Sequence, residues 1–252
     1  TASDANRFAL RVARAVTGRP KVLVFAACYH GAVDDTFVQP GADGRTVSRP
    51  GLVGQVVDLS QTSKVIEFND LPALEAALAE GDVAAVLAEP VMTNCCMVLP
   101  DPGYHAELRR LTRKHGALLI IDETHTISSG LGGYTRTHGL QPDMFVVGKP
   151  VAGGLPASVW GMTEEVAARY KAFDSTRPGG FSGIGTTLSA NPLQFAAMRA
   201  NLAHVMTAEN YAVMETGAAR LEQGLANVIQ RHGAPWHVVR VGARVEFICA
   251  PG

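Results

Sequence analysis

Four short runs, residues 21–27, 83–88, 118–121 and 144–147, are apolar nearly throughout instead of alternating apolar with polar. A strand with one face to water alternates, so a strand that is apolar on both faces is covered on both. Between these runs lie stretches with helical periodicity. Residues 4–17 place Phe8, Val12, Ala15 and Val16 on one face, with Ser3 or Asp4 as the cap and Gly18 and Pro20 as the stop. Asp70 heads a second helix bearing Leu71, Leu74, Ala77 and Leu78, which Gly81 closes. Residues 102–115 form a third, with Arg109, Arg110, Arg113 and Lys114 in its C-terminal half, where the helix dipole favours cations. Asn191 and Pro192 open a long helix as cap and first-turn proline. This alternation predicts an α/β fold: a mostly parallel sheet with helices on both faces.

Lys plus Arg number 22 and Asp plus Glu 23, a net charge of −1, which offers no attraction for nucleic acid or an anionic membrane. With 47% apolar and 18% charged residues, the chain buries a sizeable core, and composition excludes disorder. No apolar run approaches the roughly 20 residues needed to cross a bilayer, and no signal-peptide pattern precedes the runs. The four cysteines contain no C-x-x-C pair, so they read as reduced thiols in a cytoplasmic protein. No histidine pair has H-E-x-x-H or zinc-site spacing, so no metal is expected. Residues 33–62 are polar and Gly-rich and read as a long loop. Near residue 200 the alternation gives way to helical sequence and a final strand pattern over 237–249. The expected division is therefore a large domain, 1–200, followed by a linking helix and part of a smaller α/β domain, 201–252. Both ends break off beside structured sequence, so the chain reads as the middle of a longer protein.

Ligands of open α/β sheets bind beyond the carboxyl ends of the strands. Here those ends are followed by Cys28-Tyr29-His30-Gly31, Glu89-Pro90, Asp122-Glu123 and Gly148-Lys149. One rim thus receives an aromatic ring, two acids and an amine. A lysine closing a buried strand is costly unless it is neutralised, paired or used covalently. An amine can form a Schiff base with an aldehyde, and a buried carboxylate can keep a pyridine nitrogen protonated. The protonated ring acidifies the C–H bond beside a substrate amine, and the released lysine moves the proton. Lys149 and Asp122 suit those roles with pyridoxal 5'-phosphate (PLP). The helix start at Ala2-Ser3-Asp4 offers amides for a phosphate, and Tyr29 a face for the ring. Other cofactor motifs fail. Asp143 and Pro150 occupy the required Gly and Ser/Thr positions of a P-loop ending at Lys149, residues 180–185 do not spell G-x-G-x-x-G, and no nucleophile elbow is present.

Glu89-Pro90-Val91, Leu119-Ile120-Ile121-Asp122-Glu123 and Val147-Gly148-Lys149 with Gly153-Gly154-Leu155-Pro156 together resemble the class III aminotransferases of the fold-type-I PLP group. Cys28-Tyr29-His30-Gly31 and Thr187-Leu188-Ser189-Ala190-Asn191-Pro192 resemble the same family, especially its glutamate-1-semialdehyde aminomutase branch. Residues 122–128 with Gly132-Gly133-Tyr134 look more like the β-amino-acid (β-phenylalanine-type) transaminases. The resemblance covers nearly the whole chain. It implies Lys149 as the Schiff-base lysine, Asp122 as partner of the pyridinium nitrogen, and Tyr29 stacked on the ring opposite Thr124. It further implies Ala2 and Ser3 at the phosphate, Glu89 in the network beneath the cofactor, and His30 lining the site. Thr187 would reach the phosphate of a neighbouring subunit, which implies a homodimer. Two positions depart from the family: Ala2 replaces a glycine at the phosphate turn, and Thr124 replaces a valine. Arg244 is a candidate fork for a substrate carboxylate. The expected reaction is ping-pong transfer of an amino group from an amino acid, with a β-amino acid as the first choice, to a 2-keto acid. Alternatives are an aminomutase shifting an amino group within one molecule, or a catalytically incomplete PLP-binding module.

Overall fold

The structure, a computed structural model, describes all of residues 1–252. Its elements in chain order are α1 (Ala2–Thr17), β1 (Lys21–Phe25), β2 (Val38–Pro40), β3 (Thr46–Ser48), β4 (Ser63–Ile66), α2 (Leu71–Ala79), β5 (Val83–Ala88), α3 (Tyr104–His115), β6 (Leu118–Asp122), α4 (Gly133–Thr137), β7 (Met144–Val147), β8 (Val159–Met162), α5 (Glu164–Thr176), α6 (Pro192–His204), α7 (Ala208–His232), β9 (His237–Val241) and β10 (Arg244–Ile248).

Six strands form one sheet in the order β4-β1-β5-β6-β7-β8, all parallel except β8, which runs antiparallel to β7 at the edge. From β1 the chain moves outward to β4, then returns to the other side of β1 with β5 and continues through β6 and β7. The order therefore reverses between β1 and β5, and the crevice beyond their carboxyl ends is where such sheets take ligands. The reason the sheet sits in the middle is visible in its sequence. All of β5 and Val22 to Phe25 of β1 are buried, as expected for strands covered on both faces. Ala5, Ala9, Leu10, Val12 and Ala13 of α1 pack into the same core. Small alanines on that face let the helix lie close to the sheet.

Several elements differ from the sequence expectation. α1 starts at Ala2, so neither Ser3 nor Asp4 is its cap; Thr1 precedes it and its hydroxyl donates to the Asp4 carboxylate at 3.0 Å. β1 stops at Phe25 because Ala27 turns left-handed (φ 61°), which swings Cys28, Tyr29 and His30 across the sheet edge. Residues 33–62 are not one loop: they hold the β2–β3 hairpin, paired Val38 with Ser48, and two 3-10 turns. β4 escapes notice because Ser63 and Lys64 are polar. Lys64 is nonetheless largely buried, its amine held by the Ala77 carbonyl at 2.9 Å, Glu80 at 2.9 Å and Asp82 at 2.7 Å.

Beyond the sheet, Asn191 caps α6 by accepting from the Gln194 amide at 3.0 Å. α6 runs unbroken through residue 200, where the sequence suggested a boundary. Asn201, buried in its last turn, donates to the Pro150 and Val151 carbonyls at 2.7 and 3.2 Å and so ties α6 to the turn that follows Lys149. The final strand pattern is an antiparallel hairpin, β9–β10, in a sheet of its own. No helix is long and apolar enough to cross a membrane.

Asp143, just before β7, accepts two bonds from the Arg109 guanidinium at 2.6 and 2.7 Å and one from the Leu119 amide at 2.8 Å, joining α3, β6 and β7. Asp143→Ala would leave the largely buried Arg109 charge without its partner. We expect a loss of about 3 kcal/mol, read as a lower urea midpoint at unchanged m-value; a midpoint within error of the parent would contradict this role.

Candidate active site

At the reversal between β1 and β5 the structure has a cavity of about 260 Å³. Ala2, Ser3, Tyr29, His30, Glu89, Asp122, Thr124 and Lys149 all line it, although they come from five separate stretches of chain. Thr1, Gly31, His125 and residues 154–157 complete the wall.

Asp122 ends β6 and is buried. Its Oδ2 accepts from Asn6 Nδ2 at 2.8 Å and from His30 Nδ1 at 2.9 Å, and its Oδ1 from the Thr124 amide at 3.0 Å. Burial alone would raise its pKa, but the contact with His30 and the bonds from Thr124 and Asn6 outweigh it and hold the carboxyl below its usual range. Burial likewise opposes the charged form of His30, and the Asp122 carboxylate with the adjacent Cys28 sulfur outweighs it, raising His30 above the usual imidazole range. The pair is therefore an anion and a cation held together, and Asp122 Oδ1, bonded to a single backbone amide, keeps capacity to accept another hydrogen bond. His30 Nε2 and Thr124 Oγ1 are buried without a partner.

Lys149 follows β7 with a left-handed backbone (φ 43°), a conformation that costs a non-glycine residue energy and tends to mark functional sites. Its amine lies 5.8 Å from the centroid of the half-exposed Tyr29 ring. Gly148 before it sits so near the start of α1 that an added Cβ would come within 2.8 Å of the Ala2 side chain. Gly31 similarly leaves no room between its backbone and Ser3 Oγ. These two close approaches press the first turn of α1 against the cavity. Helix-start amides lack helical partners, and a 16-residue dipole adds to their pull on an anion. Ser3 Oγ accepts from the Ala32 amide at 3.0 Å and keeps its own proton to donate. Ala2 is helical, a backbone conformation that needs no glycine.

Glu89 accepts from the Tyr29 amide at 3.2 Å and, through its other oxygen, from the Thr93 amide at 3.2 Å and hydroxyl at 2.5 Å. Glu123, next to Asp122, points away from the cavity and accepts from the Tyr134 amide at 3.2 Å at the start of α4. Two expected residues lie elsewhere. Thr187 is exposed, in the turn before α6, and does not reach the cavity of its own chain. Arg244 does not line the cavity: its guanidinium donates to the Thr93 carbonyl at 3.0 Å and pairs with Glu246 at 2.5 Å, so its charge is already neutralised. Two contributors were missed. Asn6 carried a signal, a polar side chain on the apolar face of α1 beside Ala5 and Ala9. Thr93 carried none, since it lies in an irregular stretch closed by the Met92–Val98 bridge.

The family model for class-III aminotransferases matches residues 1–247. The glutamate-1-semialdehyde 2,1-aminomutase of Thermomicrobium roseum is 40% identical over 97% of this chain and 56% of its own length. The crystal structure of a glutamate-1-semialdehyde aminomutase from Pseudomonas aeruginosa superposes with a TM-score of 0.96 at 52% identity, over 100% of this chain and 56% of that one, and a variant of that enzyme was solved in complex with PMP. A β-phenylalanine aminotransferase from Variovorax paradoxus superposes with a TM-score of 0.81 at 26% identity, over 100% of this chain and 55% of that one. The chain thus spans a little over half the length of these relatives. It belongs to the class-III aminotransferases, PLP-dependent enzymes of fold type I.

Proposed function

We propose that this cavity holds PLP and that the protein moves an amino group at Lys149. The observation that carries this reading is the meeting, in one cavity, of an amine, a carboxylate kept charged, an aromatic face and a bare helix start. The fit rests on features that are otherwise unexplained: the strained Lys149 backbone, the partnerless Thr124 hydroxyl, and the acceptor position left on Asp122. When bound, PLP supplies an aldehyde for covalent capture and an electron-withdrawing ring.

The chain's own residues would supply the rest. Lys149 would hold the cofactor and, once released, act as the base that takes the proton from the carbon bearing the amino group. Asp122, fixed by His30 and Asn6, keeps the ring nitrogen protonated. Tyr29 covers one face of the ring and Thr124 the other, while Ala2 and Ser3 bind the phosphate and Glu89 supports the network beneath. Two reaction modes fit this machinery. The relatives at 40% and 52% identity favour an aminomutase, which returns the amino group to the molecule that gave it. The β-phenylalanine relative supports transfer from a β-amino acid to a 2-keto acid. The neutralised Arg244 leaves the second mode without the carboxylate fork that the sequence suggested. Adding 2-oxoglutarate or pyruvate distinguishes them: only a transaminase forms a new amino acid from the acceptor.

We read residues 1–200 as the cofactor-binding domain and 201–252 as the link and first part of a smaller one. The four free cysteines suit a reducing, cytoplasmic setting. Phe181, Leu188, Leu193, Phe195 and Leu202, in and before α6, are large, apolar and more than half exposed. A surface of this kind supports a homodimer, with Thr187 offered to the partner's phosphate.

Lys149→Ala should abolish borohydride fixation of PLP to the protein; retention of fixed cofactor would remove Lys149 from its role. Asp122→Asn should still bind PLP but lower the rate of amino transfer about 10²–10³-fold, the usual scale for one lost electrostatic contact at a reacting centre; an unchanged rate would exclude Asp122. Phe195→Glu should convert a dimer to a monomer in sedimentation velocity, and a parent chain that sediments as a monomer would end the dimer proposal.

A further inference from the structure

Thr93 Oγ1 lies 2.5 Å from Glu89 Oε2 and 2.5 Å from His125 Nδ1, so one hydroxyl joins an acid to an imidazole. All three are buried or nearly so, with Thr93 at 4% and Glu89 at 3% exposure. The direction of each bond follows from counting protons. Glu89 already accepts backbone bonds on both oxygens, from Tyr29 and Thr93, and acts here as an acceptor only. The single Thr93 proton is therefore committed to Glu89. Its oxygen must then accept, and the only donor facing it is an N–H on His125 Nδ1. Burial, then the charges of Lys149 and Arg244, depress the His125 pKa to about 4, so the ring carries one proton near neutrality. With that proton on Nδ1, Nε2 is bare. Nε2 has no protein partner, is not sealed off, and belongs to a residue that lines the cavity.

We infer that Thr93 is a positioning residue that locks His125 as the Nδ1–H tautomer, so that Nε2 is a fixed hydrogen-bond acceptor in the Lys149 cavity for the amine being moved. The inference deepens the proposed function and rests on it only for the identity of the donor. An ammonium or amine N–H entering this cavity already meets the positive charge of Lys149. A neutral acceptor orients it without adding another cation. The support reaches outward as well: Arg244 in β10 donates to the Thr93 carbonyl at 3.0 Å, and the Met92–Val98 bridge closes the stretch that carries Thr93.

Nitrogen-15 NMR of histidine-labelled full chain reads the tautomer directly, with His125→Asn identifying the signal by its loss. The parent and Thr93→Ser should show protonated Nδ1 and unprotonated Nε2, without titration between roughly pH 8 and 5.5. Thr93→Val, nearly isosteric but without a hydroxyl, should show the Nε2–H form or a mixture. In variants that each bind PLP as the parent does, Thr93→Val and His125→Asn should lower kcat for amino transfer about tenfold, the scale of one hydrogen bond, and Thr93→Ser should retain the parent rate. An Nε2–H signal in the parent, or a tautomer unchanged in Thr93→Val, overturns the inference. If Thr93→Val does not fold, the parent spectrum and the His125→Asn rate decide instead. A parent chain that fixes no PLP would overturn the functional reading, while the nitrogen shifts still decide the tautomer.

Discussion

A carboxylate closing a strand that is buried on both sides is an expensive thing to keep charged, and this site is organised around doing so. Asp122 stays anionic because His30 and Asn6 meet one oxygen and the Thr124 amide the other. Those partners come from α1, from the segment after β1 and from the turn after β6. The charge thus acts as a joint: it cannot be satisfied unless α1 lies across the strand ends. Asn6 also donates to the His30 carbonyl at 3.0 Å, fixing the helix to the same segment that carries Tyr29. Placing the start of α1 at the cavity and stabilising Asp122 are therefore one structural event. The two glycines at positions 31 and 148 make that approach possible by leaving out the Cβ atoms that would hold the helix away.

What the sequence disclosed followed from physics that acts locally or periodically. Uninterrupted apolar runs marked β5, β6 and β7, because burial on both faces leaves no place for a polar residue. The rule that open sheets bind at strand ends then collects Tyr29, Glu89, Asp122 and Lys149 from sequence alone. Legibility failed where non-local contacts override local preference. Lys64 disguises β4, since only the carboxylates of Glu80 and Asp82 and a carbonyl from α2 make a lysine tolerable there. The three-residue strands β2 and β3 are too short for a period to register. Thr93 is invisible for the same reason, as its importance lies in contacts with Glu89 and a histidine 32 positions away. Arg244 shows the opposite failure. A free arginine near the end of the chain suggests a substrate fork, but Glu246, two residues on, faces it across one side of β10 and takes its charge.

The turn after β7 shows how a strained backbone is held beside the cavity. Lys149 is left-handed, and the energy that conformation costs has to be offset by its surroundings. Pro150 and Val151 offer their carbonyls to Asn201, so α6 grips the backbone just after the lysine. Gly148 is pinned against α1 on the other side. Held between two helices, the backbone of Lys149 directs its side chain into the cavity, where the amine lies beside Tyr29.

The division of labour within the cavity bears on how relatives with different reactions can share it. Capturing an aldehyde, holding a ring nitrogen charged and binding a phosphate are demands set by the cofactor, and under the proposed function they fall on Lys149, Asp122 and the α1 start. Choosing an amine and its partner is a different demand. Under the proposed function it falls on residues 154–157, the imidazole of His125, and Thr93 beneath it. Because Thr93 is in turn held by Arg244 of the final hairpin, the pose of that imidazole depends on where β9–β10 packs. A change in the hairpin can therefore alter which amine is accepted without disturbing the residues that hold the cofactor. That separation is a physical reason why a common sheet and a common lysine serve both aminomutases and transaminases.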